Sequence, residues 1–206
     1  MSILMADIID PETRRLDRDE GADPDRDVLR LVRGGDITAA LRRLMQRHGD
    51  SVYRYCRMAL CDATLADDVH QQVFLEAFRD LPSFRGRSTA RTWLFAIARH
   101  RVLDAARARA RAQAHINEAE PVDAPDPRPS AEQAIDDLRL GEALIASLTE
   151  LDDHARTAVL LRYQQGFTFE QMAEVCREAP ATLRARVVRA LPLLRARIES
   201  LIGGSM

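Results

Sequence analysis

Four prolines fall within eleven residues, Glu120-Pro-Val-Asp-Ala-Pro-Asp-Pro-Arg-Pro-Ser130, and they constrain this chain more than any other stretch. Proline lacks an amide donor and fixes φ, so no regular helix crosses such a segment. An extended, semi-rigid tether is the expected form. The chain of 206 residues is long enough for one or two small domains, and the tether argues for two. The expected organisation is an acidic, flexible tail over 1–26, a helical domain over 27–112, a linker over 113–133 and a second helical domain over 134–203. Strand signals are scarce, and the chain is rich in Ala, Leu, Arg and Glu, so both domains are expected to be all-α. Hydrophobic residues make up 46% but aromatic residues only 5%, so the cores must be built from Leu, Ala, Val and Ile.

Upstream of the tether, Ser83-Phe-Arg-Gly-Arg-Ser-Thr-Ala-Arg-Thr-Trp-Leu-Phe-Ala-Ile-Ala-Arg-His-Arg-Val-Leu-Asp-Ala-Ala-Arg107 reads as a short loop feeding a long basic helix. Pro82 and Gly86 punctuate the loop. Ser88 or Thr89 supplies a capping oxygen, and from Arg91 onward nothing interrupts the helix. At the helical step Leu94, Phe95, Ile97, Ala98, Val102 and Ala105 share an apolar side. Trp93, Arg99, His100 and Arg107 lie on or beside the other. An indole among cations suits a surface that stacks on bases and holds phosphates.

Charge is segregated along the chain. Arg79–Arg111 holds nine Arg against Asp80 and Asp104, a net of +7 in a chain of net −2. Met1–Asp27 carries a net of −5 and Glu118–Asp137 a net of −6. The basic patch points to a polyanion, and the acidic runs read as solubilising segments or as weak competitors for that patch. There is no lysine, so all 30 basic residues are Arg, and part of the patch can reflect that general bias.

The remaining elements follow from periodicity and caps. A first helix starts at Asp27 and ends at Gly34-Gly35. Asp36 caps a second, with apolar positions Ile37, Ala40, Leu41, Leu44 and Met45. His48-Gly49-Asp50 is expected to break it before a third carrying Val52, Tyr53, Cys56, Ala59 and Leu60. Asp62–Leu81 forms the next, with Val69, Val73, Phe74, Ala77 and Phe78 as its stripe and Asp67, Asp68, Gln71 and Gln72 near its start. Beyond the tether, Ala134–Leu148 is amphipathic despite Gly141. Leu151–Tyr163 is a helix capped by Asp152 or Asp153 and broken by Gly166. Thr168 caps a short helix to Val175, and Pro180 opens the last one, where proline is tolerated. Pro192 is expected to kink or end it. A short helix, a turn and an arginine-studded helix make a helix-turn-helix, whose second helix can read base edges in a major groove.

Cys56, Cys61 and Cys176 have neither paired nor metal-binding spacing, which suits small buried thiols in a reduced compartment. No phosphate-cradling loop, metal spacing or nucleophile–base pairing stands out, so neither a cofactor nor an enzymatic activity is expected. No apolar run approaches the roughly 18–20 residues that span a bilayer, so a cytoplasmic protein without membrane insertion is expected.

The order Asp67-Asp68-Val-His-Gln71-Gln-Val-Phe74, Phe84-Arg-Gly-Arg-Ser88, Thr92-Trp-Leu94, Ile97-Ala-Arg99 and Asp104 resembles the extracytoplasmic-function (ECF) sigma factors, promoter-specificity subunits of bacterial RNA polymerase. Leu161-Arg-Tyr163, Gly166-Phe-Thr168, Ala173-Glu174 and Thr182-x-x-x-Arg186-x-x-Arg189 extend the resemblance into the second domain. It implies that Asp67, Asp68, Gln71, Gln72 and Phe74 dock on the clamp of core RNA polymerase. It implies that Phe84, Arg85, Gly86, Ser88, Trp93, Arg99, His100 and Arg107 meet the −10 element, and that the loop takes in a flipped base. It implies −35 contacts from Thr168, Ala181, Thr182, Arg184, Arg186 and Arg189. An anti-sigma partner and a linker threading the polymerase are implied as well. Two departures stand out. Gln72 occupies a frequent Glu position, and Cys176-Arg-Glu-Ala179 replaces the usual Leu-Gly-Ile-Ser turn, without its glycine and its capping serine. A stand-alone helix-turn-helix regulator and a sigma-like interaction scaffold are the alternative readings.

Overall fold

The computed structural model describes residues 25–116, 141 and 143–203, and every extended regular element among them is helical. Helix α1 is Arg26–Arg33, α2 is Ile37–Leu60, α3 is Ala63–Asp80 and α4 is Ala90–Ile116, with a 3-10 turn at Leu81–Ser83 before the loop that leads into α4. Residues 143–149 form α5. Helix α6, Asp153–Val159, runs into a π turn at Leu160–Gln164, followed by α7, Phe169–Cys176, and α8, Pro180–Gly203. Residues 1–24 of the acidic tail and 117–140, with the proline tether, lie outside the described residues.

Side-chain oxygens start most of these helices, because each satisfies amides that the first turn leaves without a partner. Asp36 accepts from the Ala39 amide at 2.9 Å, Asp62 from Leu65 at 3.0 Å and Thr89 from Thr92 at 3.0 Å. Asp152 accepts from both His154 and Ala155 at 2.9 Å. Thr168 and Gln171 bond each other's backbone reciprocally, which fixes the entry to α7.

Several expectations are corrected. Helix α2 passes through His48-Gly49-Asp50 without a break. A mid-helix glycine costs only about 1 kcal/mol, and Leu44, His48 and Val52 are buried on either side of it. The acidic tail does not reach residue 26 as a loose segment. Asp25 is fully buried, its Oδ2 lies 2.8 Å from His48 Nε2, and Arg47 donates to its Oδ1 at 3.0 Å. Arg47 also grips Asp27 through two bonds of 2.6 and 2.7 Å, which pins α1 onto α2. Met45 and Phe78, expected in apolar stripes, are 46% and 47% exposed. Pro192 does not end α8, which runs on to Gly203.

The helices on either side of the undescribed tether do not bury separate cores. A small cluster of Val28, Val32, Ala40, Leu44, Leu81, Phe84 and Ala90 seats α1 against α2 and the loop before α4. The larger core is continuous across the two halves, from Tyr55, Phe74, Phe95 and Val102 to Leu148, Phe167, Met172 and Leu183. The Phe95 and Phe167 rings meet edge-on at 5.2 Å, and Tyr55 Oη lies 3.5 Å from Thr157 Oγ1. Arg91 stacks its guanidinium over Phe167 at 4.1 Å and bonds the Gln165 carbonyl. Buried Arg156 donates to the carbonyls of Leu148, Leu151 and, from the N-terminal half, Ala59 at 2.7, 2.7 and 2.8 Å. Guanidinium donors thereby satisfy helix-end carbonyls that would otherwise be buried without partners.

Candidate nucleic-acid and polymerase interfaces

Helix α3 presents Asp67, Asp68, Gln71 and Gln72 to solvent on its outer side. Phe74, grouped with them from the sequence, turns inward, 6% exposed and edge-on to His70 at 5.1 Å. The five residues therefore divide into four that are open to a partner and one that supports the helix from beneath. Asp68 and Gln72 line an open groove of about 680 Å³ with Asp62, Arg101, Asp104 and Arg109. Arg101 is held there by an ion pair to Glu76 and Arg109 by the Leu60 carbonyl at 2.9 Å, so the groove wall is fixed.

The loop before α4 is shaped by its glycine. Gly86 has φ +69, a region L-residues rarely enter, and a Cβ there would come within 2.6 Å of the Leu29 side chain. Helix α1 thus backs the loop closely, while Arg85, Gly86 and Arg87 face solvent and Ser88 is half-buried. Phe84 is only 6% exposed, and its ring packs at 5.1 Å on a half-buried Trp93. The sequence placed Trp93 on the polar side. The structure instead sets it against both hydrophobic clusters, leaving only part of the indole to solvent. His100 and Arg107 are exposed and share Asp104, at 3.4 and 3.3 Å. Arg99 is half-buried and reaches across to the C-terminal half.

In the C-terminal half, α7, the turn Arg177–Ala179 and α8 form the helix-turn-helix. The missing turn glycine has a structural answer: Arg177 itself takes the left-handed conformation, with φ 55. Ala179 offers no side-chain cap, and its carbonyl accepts from the Thr182 and Leu183 amides at 3.0 and 3.2 Å. Leu183, Val187, Ala190 and Leu194 bury one side of α8. Ala181, Thr182, Arg184 and Arg189 are exposed on the other, and Thr168 is half-buried at its cap. Arg184 lies over the Phe169 ring at 4.6 Å. Arg186 is the exception, held by Glu178 through bonds of 2.8 and 3.1 Å. The Arg186 hydrogen bond holds the Glu178 carboxyl below its ordinary range against opposing burial, and the charges of Arg186, Arg99 and His154 add to it.

Cys56 and Cys176 are buried and Cys61 is half-buried, and all three are free thiols. Burial pushes Cys56 up to about 12 and Cys176 up to about 11, values of unreactive thiols. Among the described residues no group of His, Cys, Asp and Glu is placed to hold a metal ion. No described helix is long and apolar enough to cross a membrane.

Sequence reasoning missed two features that govern this surface. Arg156 is a joint between the halves, and Glu178 is shared by arginines from both. The signal for Glu178 was present, as a charge at a turn position where an apolar residue is usual. Nothing local marks Arg156, because its acceptors are backbone carbonyls 5 to 97 residues away.

Comparison with known proteins agrees with this geometry. The Sigma-70 region 2 family matches residues 44–112, and the Sigma-70, region 4 family matches residues 141–194. The ECF RNA polymerase sigma factor SigC of Mycobacterium tuberculosis is 36% identical over 160 residues, covering 78% of this chain and 84% of that protein. SigX of Bacillus subtilis, also an ECF RNA polymerase sigma factor, is 25% identical over 162 residues, covering 77% and 83%. Two solved structures share the fold. CnrH in complex with the cytosolic domain of CnrY has a TM-score of 0.62 at 23% identity, covering 88% of this chain and 99% of that one. The sigma factor RpoE of Bartonella quintana, in complex with the anti-sigma factor NepR, has a TM-score of 0.60 at 21% identity, covering 80% and 98%. The chain belongs to the ECF family of RNA polymerase sigma factors, and its function is to direct promoter-specific transcription initiation.

Proposed function

We propose that residues 27–112 bind core RNA polymerase and the −10 element, that 134–203 bind the −35 element, and that the segment between them acts as a tether. Exposed Asp67, Asp68, Gln71 and Gln72 form the polymerase-docking surface. Phe74 supports it from the core. Exposed Arg85, Arg87, His100 and Arg107, with the partly open Trp93, form a cationic and aromatic surface for melted −10 DNA. Phe84 acts by bracing Trp93, and Gly86 by holding the loop's turn. Ala181, Thr182, Arg184, Arg186 and Arg189 face the −35 duplex, with Thr168 fixing the approach of α7. The reaction this performs is positioning and strand opening, with no covalent step and no cofactor. A regulatory partner of the anti-sigma class fits the solved relatives, which are complexes of that kind.

The observation that carries this reading is the segregation on α8, with apolar Leu183, Val187 and Ala190 buried and the start of the helix presented bare after a helix-turn-helix turn. The test is promoter binding by the reconstituted holoenzyme. Arg186→Ala should weaken binding to the cognate −35 element by roughly 1–3 kcal/mol and leave scrambled −35 DNA unaffected. Equal loss on both would make Arg186 a phosphate contact. Trp93→Ala should reduce promoter opening, read by permanganate footprinting, more than polymerase affinity. A parallel loss of both would make the indole purely structural.

A further inference from the structure

Helix α1 carries three arginines in its eight residues, Arg26, Arg30 and Arg33, and all three are exposed. They recur at the first, fifth and eighth positions, so the helical turn gathers them into one strip. Val28 and Val32, on the other side, are buried in the small core. The one acid of the helix, Asp27, is neutralised from α2, where Arg47 grips it at 2.6 and 2.7 Å and Arg43 Nε stands 3.4 Å away. Among the described residues no carboxylate pairs with Arg26, Arg30 or Arg33. By contrast Arg43, Arg47, Arg79 and Arg101 are each paired with an acid, so the strip is more than the general arginine richness of the chain. Helix stability does not explain it either. Arg30 and Arg33 suit the negative end of the helix dipole, but Arg26 sits in the first turn, where a cation is unfavourable.

The strip runs beside the loop that precedes α4. A Cβ at Gly86 would stand 2.6 Å from Leu29 Cδ2, so the turn of the loop rests directly on Leu29. Arg26 lies three residues before Leu29 and Arg33 four residues after it, and residues at those spacings are surface neighbours, about 5–6 Å apart at Cβ. The turn is therefore flanked along the axis of α1 by an arginine on either side. Arg85 and Arg87 of the loop are exposed as well. The amides of Arg85, Gly86, Arg87 and Ser88 make no backbone hydrogen bond among the described residues, which leaves them as donors for a ligand. Buried Asp25, 2.8 Å from His48 and bonded by Arg47 at 3.0 Å, fixes the start of α1, so the strip and the loop form one preorganised wall.

We propose that α1 is a wall of the −10 site, and that its strip of Arg26, Arg30 and Arg33 holds backbone phosphates of the melted strand whose bases enter at the loop. This rests on the proposed role of that loop at −10 DNA. The ligand is single-stranded sugar-phosphate, recognised by charge and not by base edges, because guanidinium groups pair with phosphate oxygens whatever the sequence. Each phosphate held releases counterions, so the strip contributes to the salt dependence of binding, which a merely solvated helix face would not.

The test uses the full chain assembled with core polymerase. One probe is a promoter fragment found by run-off transcription, with its −10 segment opened as a mismatched bubble. The other is a fully paired fragment with both promoter elements scrambled. Arg26→Gln/Arg33→Gln is compared with Arg54→Gln/Arg57→Gln, which removes equal charge from exposed positions near the far end of α2. On the bubble the strip variant should bind about tenfold more weakly than wild type at low salt. Its slope of log K against log salt should become shallower by about 1.4, at about 0.7 per single-strand phosphate. The α2 variant should stay within about twofold of wild type with its slope unchanged, and on the scrambled fragment both variants should do so. Core-polymerase affinity and the thermal melt should match wild type for both, which separates a lost phosphate contact from a lost fold. An unchanged slope on the bubble, or a loss no greater than that of the α2 variant, would refute the strip's role and leave the functional reading intact. An equal loss on the scrambled fragment would refute it too, since the strip would then attract any DNA, and a fall in core-polymerase affinity would move α1 to the polymerase interface instead. If wild type itself yields no promoter-specific transcript, the functional reading fails and the strip's role fails with it.

Discussion

Replacing Arg156 by alanine tests how the two halves are joined. Arg156 is 6% exposed and donates to Leu148 O, Leu151 O and Ala59 O at 2.7, 2.7 and 2.8 Å, with a longer contact to Thr149 O at 3.4 Å. Hydrogen bonds to a charged group contribute about 1.5–3 kcal/mol each, so three good ones total roughly 4–9 kcal/mol before correction. Taking the guanidinium out of water costs several kcal/mol of that. The alanine variant also leaves three buried carbonyls without donors, at about 1–3 kcal/mol apiece, part of which entering water recovers. A net loss of about 3 kcal/mol is expected. For a chain of this size that corresponds to a fall in Tm of roughly 6–12 °C. Arg156→Lys should recover less than half, because one ammonium cannot reproduce the planar fork that serves splayed carbonyls. The assay is equilibrium denaturation of the full chain in urea, paired with a thermal melt by circular dichroism. A loss below about 0.5 kcal/mol for Arg156→Ala, the size of an ordinary surface substitution, would refute the reasoning.

Two further outcomes follow from the titrating groups. Burial raises the Asp25 carboxyl, but the His48 hydrogen bond and charge, followed by those of Arg47, more than reverse this and leave it below its ordinary 3.8. A depressed carboxyl contributes stability that is present above that value and lost as pH falls through the lower folded one. Asp25→Asn should therefore be less stable than wild type near neutrality, with the gap narrowing below about pH 4; a gap that is constant with pH would rule the linkage out. The thiols of Cys56 and Cys176, raised by burial to about 12 and 11, should resist a maleimide in the folded protein at neutral pH while Cys61 labels first. Mass spectrometry showing prompt modification of Cys56 would mean that the first half of the core opens readily.

Much of the fold was legible because it is written in local chemistry. Asp36, Asp62, Asp152 and Thr168 announce helix starts through caps that depend on two or three neighbouring amides. The helix-turn-helix was legible for the same reason, with Thr168 before α7 and Pro180 opening α8. What misled was the use of a local signal where tertiary contacts decide. Gly49 costs its helix about 1 kcal/mol and Pro192 about 3, and the buried residues on either side outweigh both, so α2 and α8 continue through them. Periodicity placed Phe78 in the core and Trp93 on the polar face, but the helical step says nothing about which flank a neighbouring helix covers. The candidate surface was legible as a list of residues and not as an arrangement. Asp67, Asp68, Gln71 and Gln72 emerge exposed, whereas Phe74 and Phe84 turn inward. The pairing of Arg99 and Arg186 through Glu178 joins positions 79 and 8 residues from the acid, and no periodic pattern encodes the longer of those.

We propose that this chain confers promoter specificity on RNA polymerase through two separate DNA-reading surfaces. The most direct measurement is run-off transcription with core polymerase on a library of genomic fragments, with and without the protein. New, discrete start sites that share a two-part upstream element are expected, with the −35 part lost selectively in Arg186→Ala. Polymerase that binds the protein yet gains no new start sites would contradict it, as would start sites sharing only a single element.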